Sequence, residues 1–342
     1  MSGYWHLETL WFALIGILWI GYFVLEGFDF GVGMLARTLG SDEAERAQML
    51  TAIGPVWDAD EVWLVTGGIA IFAAFPAWYA ALFPAAYLPL LLVIVAIVVR
   101  AVAIEYRSKR PGPAWRSRWD TAVAVASLLL AFLFGVFWAG IVHGIPIDAS
   151  GQFVGRSLLS FINPYSVLGG LTLLAFSLAH GATFLALKTA GSVQRKNEAW
   201  ATRFDFVAGA LMTAFAAWTY WSYSRDDAIA LGVGILAVAG MLVALIANLR
   251  TRPLLAFWAH GVAIAAFVAS MFIALYPNVL PSTLDPEASL TVAGAAASPY
   301  SLGVITVVAA IGLPMVIAYQ AWSFWVFRKR ITVEDAQRSH YA

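Results

Sequence analysis

The 342-residue chain has no cysteine, and only 12% of its residues are charged. The missing thiols exclude disulfides, thiolate-held iron–sulfur or zinc centres and Cys-ligated haem. A soluble domain carries about a quarter charged residues. The shortage here, with 61% hydrophobic residues and a mean hydropathy of +0.80, points to an all-α integral membrane fold. The net charge is zero, which hides a strong segregation of charge along the chain, and no nucleic-acid partner is expected. Met1-Ser2-Gly3-Tyr4-Trp5-His6 lacks a basic leader, so the first apolar run reads as a span and not as a cleavable signal.

Apolar runs of about 20 residues give about nine transmembrane helices in one polytopic domain over residues 1–342. They lie near 10–35, 54–74, 79–101, 120–142, 165–187, 204–223, 229–248, 257–276 and 303–327. Phe75-Pro76-Ala77-Trp78 forms a tight turn between the second and third. With nine spans, 18 of the 20 Lys and Arg fall on one side, and only Arg156 and Arg225 fall on the other. The positive-inside rule then places the N-terminus outside and the C-terminus in the cytoplasm. An eight-helix arrangement scrambles that asymmetry. Glu26-Gly27-Phe28-Asp29-Phe30 and His180-Gly181-Ala182-Thr183-Phe184 share a Gly and a Phe in register, which suggests two four-helix bundles plus one helix. The prolines and small polar residues of 277–302 read as turns, and the 15 tryptophans and 12 tyrosines as belts at the span ends.

What the chain does carry is carboxylates inside apolar helices. Glu26 and Asp29 lie three apart, on one face of the first helix and towards its cytoplasmic end. Asp58 and Glu61 repeat the spacing at the start of the second, with Asp60 between them, and the third ends at Arg100, Glu105 and Arg107. An acid at mid-membrane costs roughly 2.5–3.5 kcal/mol on insertion scales, so such groups have a partner, a proton, water or a task. Three readings stand: a salt-bridged structural cluster with Arg100 and Arg107, an oxygen-rich metal site whose spacing fits no dedicated loop, or a proton-conducting chain. Of the five histidines, only His180 and His260 fall within spans, and no Met stands opposite either as a second haem ligand. Both read first as hydrogen-bonded or interfacial histidines.

The run Gly21-Tyr22-Phe23-Val24-Leu25-Glu26-Gly27-Phe28-Asp29-Phe30-Gly31-Val32-Gly33 resembles the opening helix of subunit II of cytochrome bd-type quinol oxidases. So do Pro55-Val56-Trp57-Asp58-Ala59-Asp60-Glu61-Val62-Trp63-Leu64, Asn163-Pro164-Tyr165, His180-Gly181-Ala182, Tyr276-Pro277-Asn278 and Ala318-Tyr319-Gln320-Ala321-Trp322, in order along the whole chain. The resemblance implies the non-haem subunit of a quinol:oxygen oxidoreductase in the bacterial cytoplasmic (inner) membrane. Haem b and haem d would sit in a larger haem-bearing partner, subunit I, with ubiquinol or menaquinol as reductant. Small accessory membrane subunits, and lipid or quinone against the helices, fit the same picture. It also implies that Asp29 and Asp58 supply cytoplasmic protons to the oxygen-reducing haem, electrogenically and without pumping. Glu26, Glu61 and Glu105 are the further pathway candidates, and Arg100, Trp57, His180 and Asp60 the tuning or structural ones. Ala59-Asp60 departs from the Gly-Asn often found there. The rival functions are a secondary transporter using the same carboxylates, which should be self-sufficient and colourless, and a purely structural membrane subunit.

Overall fold

The computed structural model describes residues 7–338, and the expectations for Met1–His6 and for His340 lie outside them. Thirteen α-helices follow one another among the described residues. They are α1 Leu7–Leu39, α2 Glu43–Ile53, α3 Trp57–Ala74, α4 Pro76–Ala85, α5 Tyr87–Tyr106, α6 Pro113–His143 and α7 Pro164–Lys188. After these come α8 Ser192–Tyr223, α9 Ala228–Leu249, α10 Pro253–Leu275, α11 Val292–Ala295, α12 Pro299–Val326 and α13 Val333–Gln337. The helix starts are written in the sequence. Proline occupies the first turn of α4, α6, α7, α10 and α12, where its missing N–H is no loss. Asp42, Asn163 and Asp227 cap α2, α7 and α9 with side-chain oxygens.

Seven of these helices are long and apolar enough to cross a membrane: α1, α5 with the turn after it, α6, α7, α9, α10 and α12. The sequence also suggests spans at α3 and α8, which fall outside that set. α3 opens with Asp58, Asp60 and Glu61, and α8 with the charged stretch Arg195 to Glu198. Two boundaries differ from the sequence expectation. The run from 79 to 101 is not one helix: α4 ends at Ala85 and α5 begins at Tyr87, after Pro84 brings a kink. α2 was not anticipated, because its 11 residues are too short and too polar to register as an apolar run. The loop 277–302 holds a small antiparallel pair, β1 Asn278–Leu280 with β2 Leu290–Thr291, and no domain.

α1 is the axis. It packs against α3, α6, α7 and α10, while α7, α8, α9 and α10 pack on one another. Its crossing with α7 is made by Gly31 and Gly181, where a Cβ on Gly31 would sit 1.9 Å from the Ser177 carbonyl oxygen. Such glycine crossings let backbones meet where lipid gives helices no hydrophobic reason to associate. α12 lies outermost, with only Leu302, Gln320 and Ser323 buried. Several tryptophans depart from the belt pattern. Trp78 and Trp138 are fully buried, and Trp19 meets Trp138 edge-on at 4.8 Å. Together with Tyr22, Phe23, Phe30 and Phe134 this aromatic layer lies across the middle of α1 and α6, directly beside the acids. Large rings fill that space because Trp19, Tyr22, Phe23 and Phe30 of α1 all face protein there.

Candidate functional site

Three helices bring the acids together. α1 supplies Glu26 and Asp29, α3 supplies Asp60 and Glu61, and α5 supplies Arg100. Glu26, Asp29 and Asp60 are fully buried, and Arg100 is 1% exposed. Arg100 grips Glu26 through two parallel bonds, Nη1 to Oε2 at 2.9 Å and Nη2 to Oε1 at 3.0 Å. Its Nη1 also donates to Glu61 Oε1 at 3.2 Å, and its plane lies 5.1 Å from the Phe30 ring centre. This fork-on-fork geometry is the strong form of the interaction. The Tyr22 hydroxyl points to the other Glu61 oxygen at 3.5 Å. On the α12 side, Gln320 donates to Asp60.

Asp29 and Asp60 lie within hydrogen-bond reach of each other. Neither Asp29 oxygen nor the second Asp60 oxygen meets a donor from any other described residue. Two carboxylates in contact, acceptors only when ionised, are satisfied by a proton between them. The cluster thus holds four acids against one guanidinium. Its aromatic neighbours Tyr22 and Phe30 close it on the side of the apolar layer.

The remaining sequence candidates fall around this cluster. Asp58 is exposed on the first turn of α3, while Asp60 is buried, so Asp60 and not Asp58 is the acid beside Asp29. The reason is helical geometry: residues two apart point to nearly opposite sides. An acid at Asp58's position also favours the positive end of α3. Glu105 is half-exposed on the last turn of α5, more than a turn beyond Arg100. Trp57 is buried in the core beneath α2. His180 donates from Nε2 to the Val24 carbonyl of α1 at 3.1 Å, the hydrogen-bonded role expected of it. Gln320 and Tyr22 leave no mark in the sequence, because a lone amide or phenol in an apolar run has no spacing to reveal it.

Neither intramembrane imidazole is arranged for a haem. His180 Nε2 is engaged by Val24, His260 Nε2 lies 2.8 Å from Asp205 Oδ1, and Phe176 and Phe257 cover the rings. Among the described residues no group of three or more His, Cys, Asp and Glu is placed to hold a metal ion.

At the α2 end of the bundle a second set of charges ties loops to helices. Arg107, fully buried, donates to Asp120 at 2.6 Å and to Glu43 at 2.7 Å. Burial pushes the Glu45 carboxyl up, but bonds from Lys196 at 2.5 Å and the Ser41 amide at 2.9 Å outweigh it and bring its pKa down to about 2. A carboxyl depressed in the folded state stabilises above its unfolded pKa, and that contribution is lost as the pH falls through the folded value. The protection factors of the α2 amides, taken against the intrinsic rate at each pH, are therefore expected to hold at pH 6 and to fall progressively below about pH 4.3. Undiminished protection of α2 at pH 3 would refute the linkage.

Comparison with known proteins decides the family. The profile described as Cytochrome bd terminal oxidase subunit II matches residues 7–327. The chain belongs to that family. It is 39% identical to cytochrome bd ubiquinol oxidase subunit 2 of Bacillus subtilis (strain 168), covering 96% of this chain and 98% of that one. It is 30% identical to cytochrome bd-I ubiquinol oxidase subunit 2 of Escherichia coli (strain K12), end to end in both. The structure of bd oxidase from Geobacillus thermodenitrificans shares the fold, with a TM-score of 0.72 at 18% identity over 94% of this chain and 99% of that one. As a subunit II, this chain is a multi-pass inner-membrane component of a terminal oxidase that oxidises quinol and reduces dioxygen. The transporter alternative has no comparable support.

Proposed function

We propose that this subunit conducts protons from the cytoplasm towards an oxygen-reducing centre in its partner, through the cluster around Arg100. The observation that carries the reading is the charge imbalance: Glu26, Asp29, Asp60 and Glu61 share one buried guanidinium. In so dry a place the cluster is neutral only when protons make up the difference. Glu26 and Glu61 are fixed by Arg100, whereas the Asp29–Asp60 pair has no fixed cation in contact and is the place where a proton is held and exchanged. Asp58 and Glu105, on the outer side of this cluster, would collect protons at its mouth.

The topology follows from the basic residues. Nine spans, with α3 and α8 added to the seven most apolar, put the N-terminus outside and the C-terminus, α2 and the arginine-rich loops in the cytoplasm. α7 to α10 then form one four-helix bundle, α1 with α3, α5 and α6 the other, and α12 the ninth span. The partner is the larger, haem-bearing subunit, whose haem b and haem d supply oxygen reduction, with ubiquinol or menaquinol as the electron donor. This chain's part is to buttress that subunit and to hold protons. Uptake from one face while quinol protons leave on the other makes the reaction electrogenic without a pump.

The test is the pair itself. Asp29→Asn and Asp60→Asn are each expected to keep haem content and assembly but to slow oxygen consumption by about 100-fold or more, the lower end of what a positioned proton-transfer group contributes. Asp58→Asn, remote from the pair, should slow it less. Normal turnover in both Asp29→Asn and Asp60→Asn would sink the proton reading, and loss of the haems in both would make the cluster structural.

A further inference from the structure

A second buried polar network lies in α7–α10, apart from the Arg100 cluster. Asp205 on α8 is 1% exposed, and His180 and His260 are fully buried. Asp205 Oδ1 lies 2.8 Å from His260 Nε2, and its Oδ2 accepts from Asn248 Nδ2 of α9 at 2.7 Å. Asn248 donates also to Thr183 on α7 at 2.9 Å. The His180 and His260 rings stand perpendicular, 5.4 Å apart. Their two Nδ1 atoms are buried without a hydrogen-bond partner.

The charges facing this site can be taken helix by helix. α7 presents His180, α8 Asp205 and α10 His260, while α9 presents only the amide of Asn248. α1 presents the Val24 carbonyl and the Phe28 ring, because Glu26 and Asp29 turn towards α5 and α3. Arg203, Arg250 and Arg252 are exposed, Arg203 lying on the Trp200 ring. The one ion-pair partner of Asp205 among the described residues is His260.

We infer that Asp205 and His260 are a second proton-binding site, holding one proton between them that no other residue of the bundle can replace. The count of charge leads there: an ionised Asp205 beside a neutral His260 leaves one unpaired anion between four helices, and a single added proton removes it. That proton is held along the 2.8 Å contact between Asp205 Oδ1 and His260 Nε2.

The site's reach is through His180. That ring links the proton-holding pair to the Val24 carbonyl and packs beside Gly27, 3.7 Å from where a Cβ would sit, so it touches the stretch of α1 that carries Glu26.

The test uses infrared spectra of the assembled oxidase complex. With His260→Gln the proton has only Asp205 to occupy. The difference between His260→Gln and the double variant Asp205→Asn/His260→Gln should therefore contain the C=O stretch of one carboxylic acid, shifting in D2O. A difference containing only carboxylate bands would overturn the inference. If His260→Gln does not assemble and the double variant does, Asp205 keeps its charge without His260, and that too would overturn the inference. Failure of both to assemble would make the pair a packing element and overturn the inference as well.

Discussion

Arg100→Met is expected to prevent the assembled oxidase from accumulating. Arg100 is the single guanidinium among four acids, three of them buried, and it makes three bonds to two of the four. Removing one partner of a buried ion pair costs about 3–5 kcal/mol, because the remaining charge stays desolvated. That lowers the folding equilibrium constant by about 100-fold or more, a large share of an ordinary protein's stability. The shape of Met fits the space of the arginine stem, so the loss would be electrostatic and not a cavity. The decisive comparison is the double variant Arg100→Met/Glu26→Gln, which removes one anion with the cation and should regain much of the lost yield. Yield of haem-containing complex in membranes and the melting temperature of the purified protein measure both. Native accumulation of Arg100→Met, or a double variant no better than the single, would show that Arg100 does not hold this cluster together.

Gly31→Val should be nearly as damaging, for a steric reason. The added Cβ would lie 1.9 Å from the Ser177 carbonyl and 2.8 Å from the Gly181 Cα, both backbone atoms of α7. Backbone cannot rotate away as a side chain can, so the two helices must separate, and the cost sits at or above the upper end of the roughly 1–3 kcal/mol typical of overpacking. Two other glycines calibrate it. A Cβ on Gly27 meets side-chain rings alone, Phe176 at 3.3 Å and His180 at 3.7 Å, and one on Gly68 meets nothing within 4 Å. Melting temperatures are expected to fall in the order Gly68→Ala, Gly27→Ala, Gly31→Val, with the first close to the unsubstituted protein. If Gly31→Val melted with Gly68→Ala, the close crossing of α1 and α7 would be refuted.

How much of this was legible in advance depended on what kind of signal each feature leaves. Glu26 and Asp29 stood out because charge in an apolar run is rare, and three-residue spacing puts both on one face. The same rule paired Asp58 with Glu61 and so drew attention to the wrong neighbour of Asp29. Spacing tells which residues share a face of one helix, but not which face meets the next helix, and that choice is made by how α3 packs on α1 and α12. Asp60 looked like an addition of uncertain orientation, yet it is the buried acid. Asp205 went unremarked because it falls at the very edge of an expected span, where a carboxylate usually meets water. The short helix α2 left no trace at all, since it is held by Arg107, Lys196 and the Ile331 carbonyl from other parts of the chain and not by its own periodicity.

The hold on α2 bears on the order in which the chain can finish folding. Gln48 is fully buried, and its Nε2 donates to the Ala190 carbonyl at 3.0 Å and to the Ile331 carbonyl at 2.7 Å. Ile331 in turn bonds through its own amide to the Lys188 carbonyl at 2.9 Å. A ribosome makes residue 48 early and residue 331 almost last. Until the end of the chain emerges, one of the two acceptors of a buried amide does not exist. The last hold on α2 is thereby made only when synthesis is nearly complete, and a chain that stops short of Ile331 carries the whole acid cluster but lacks that hold.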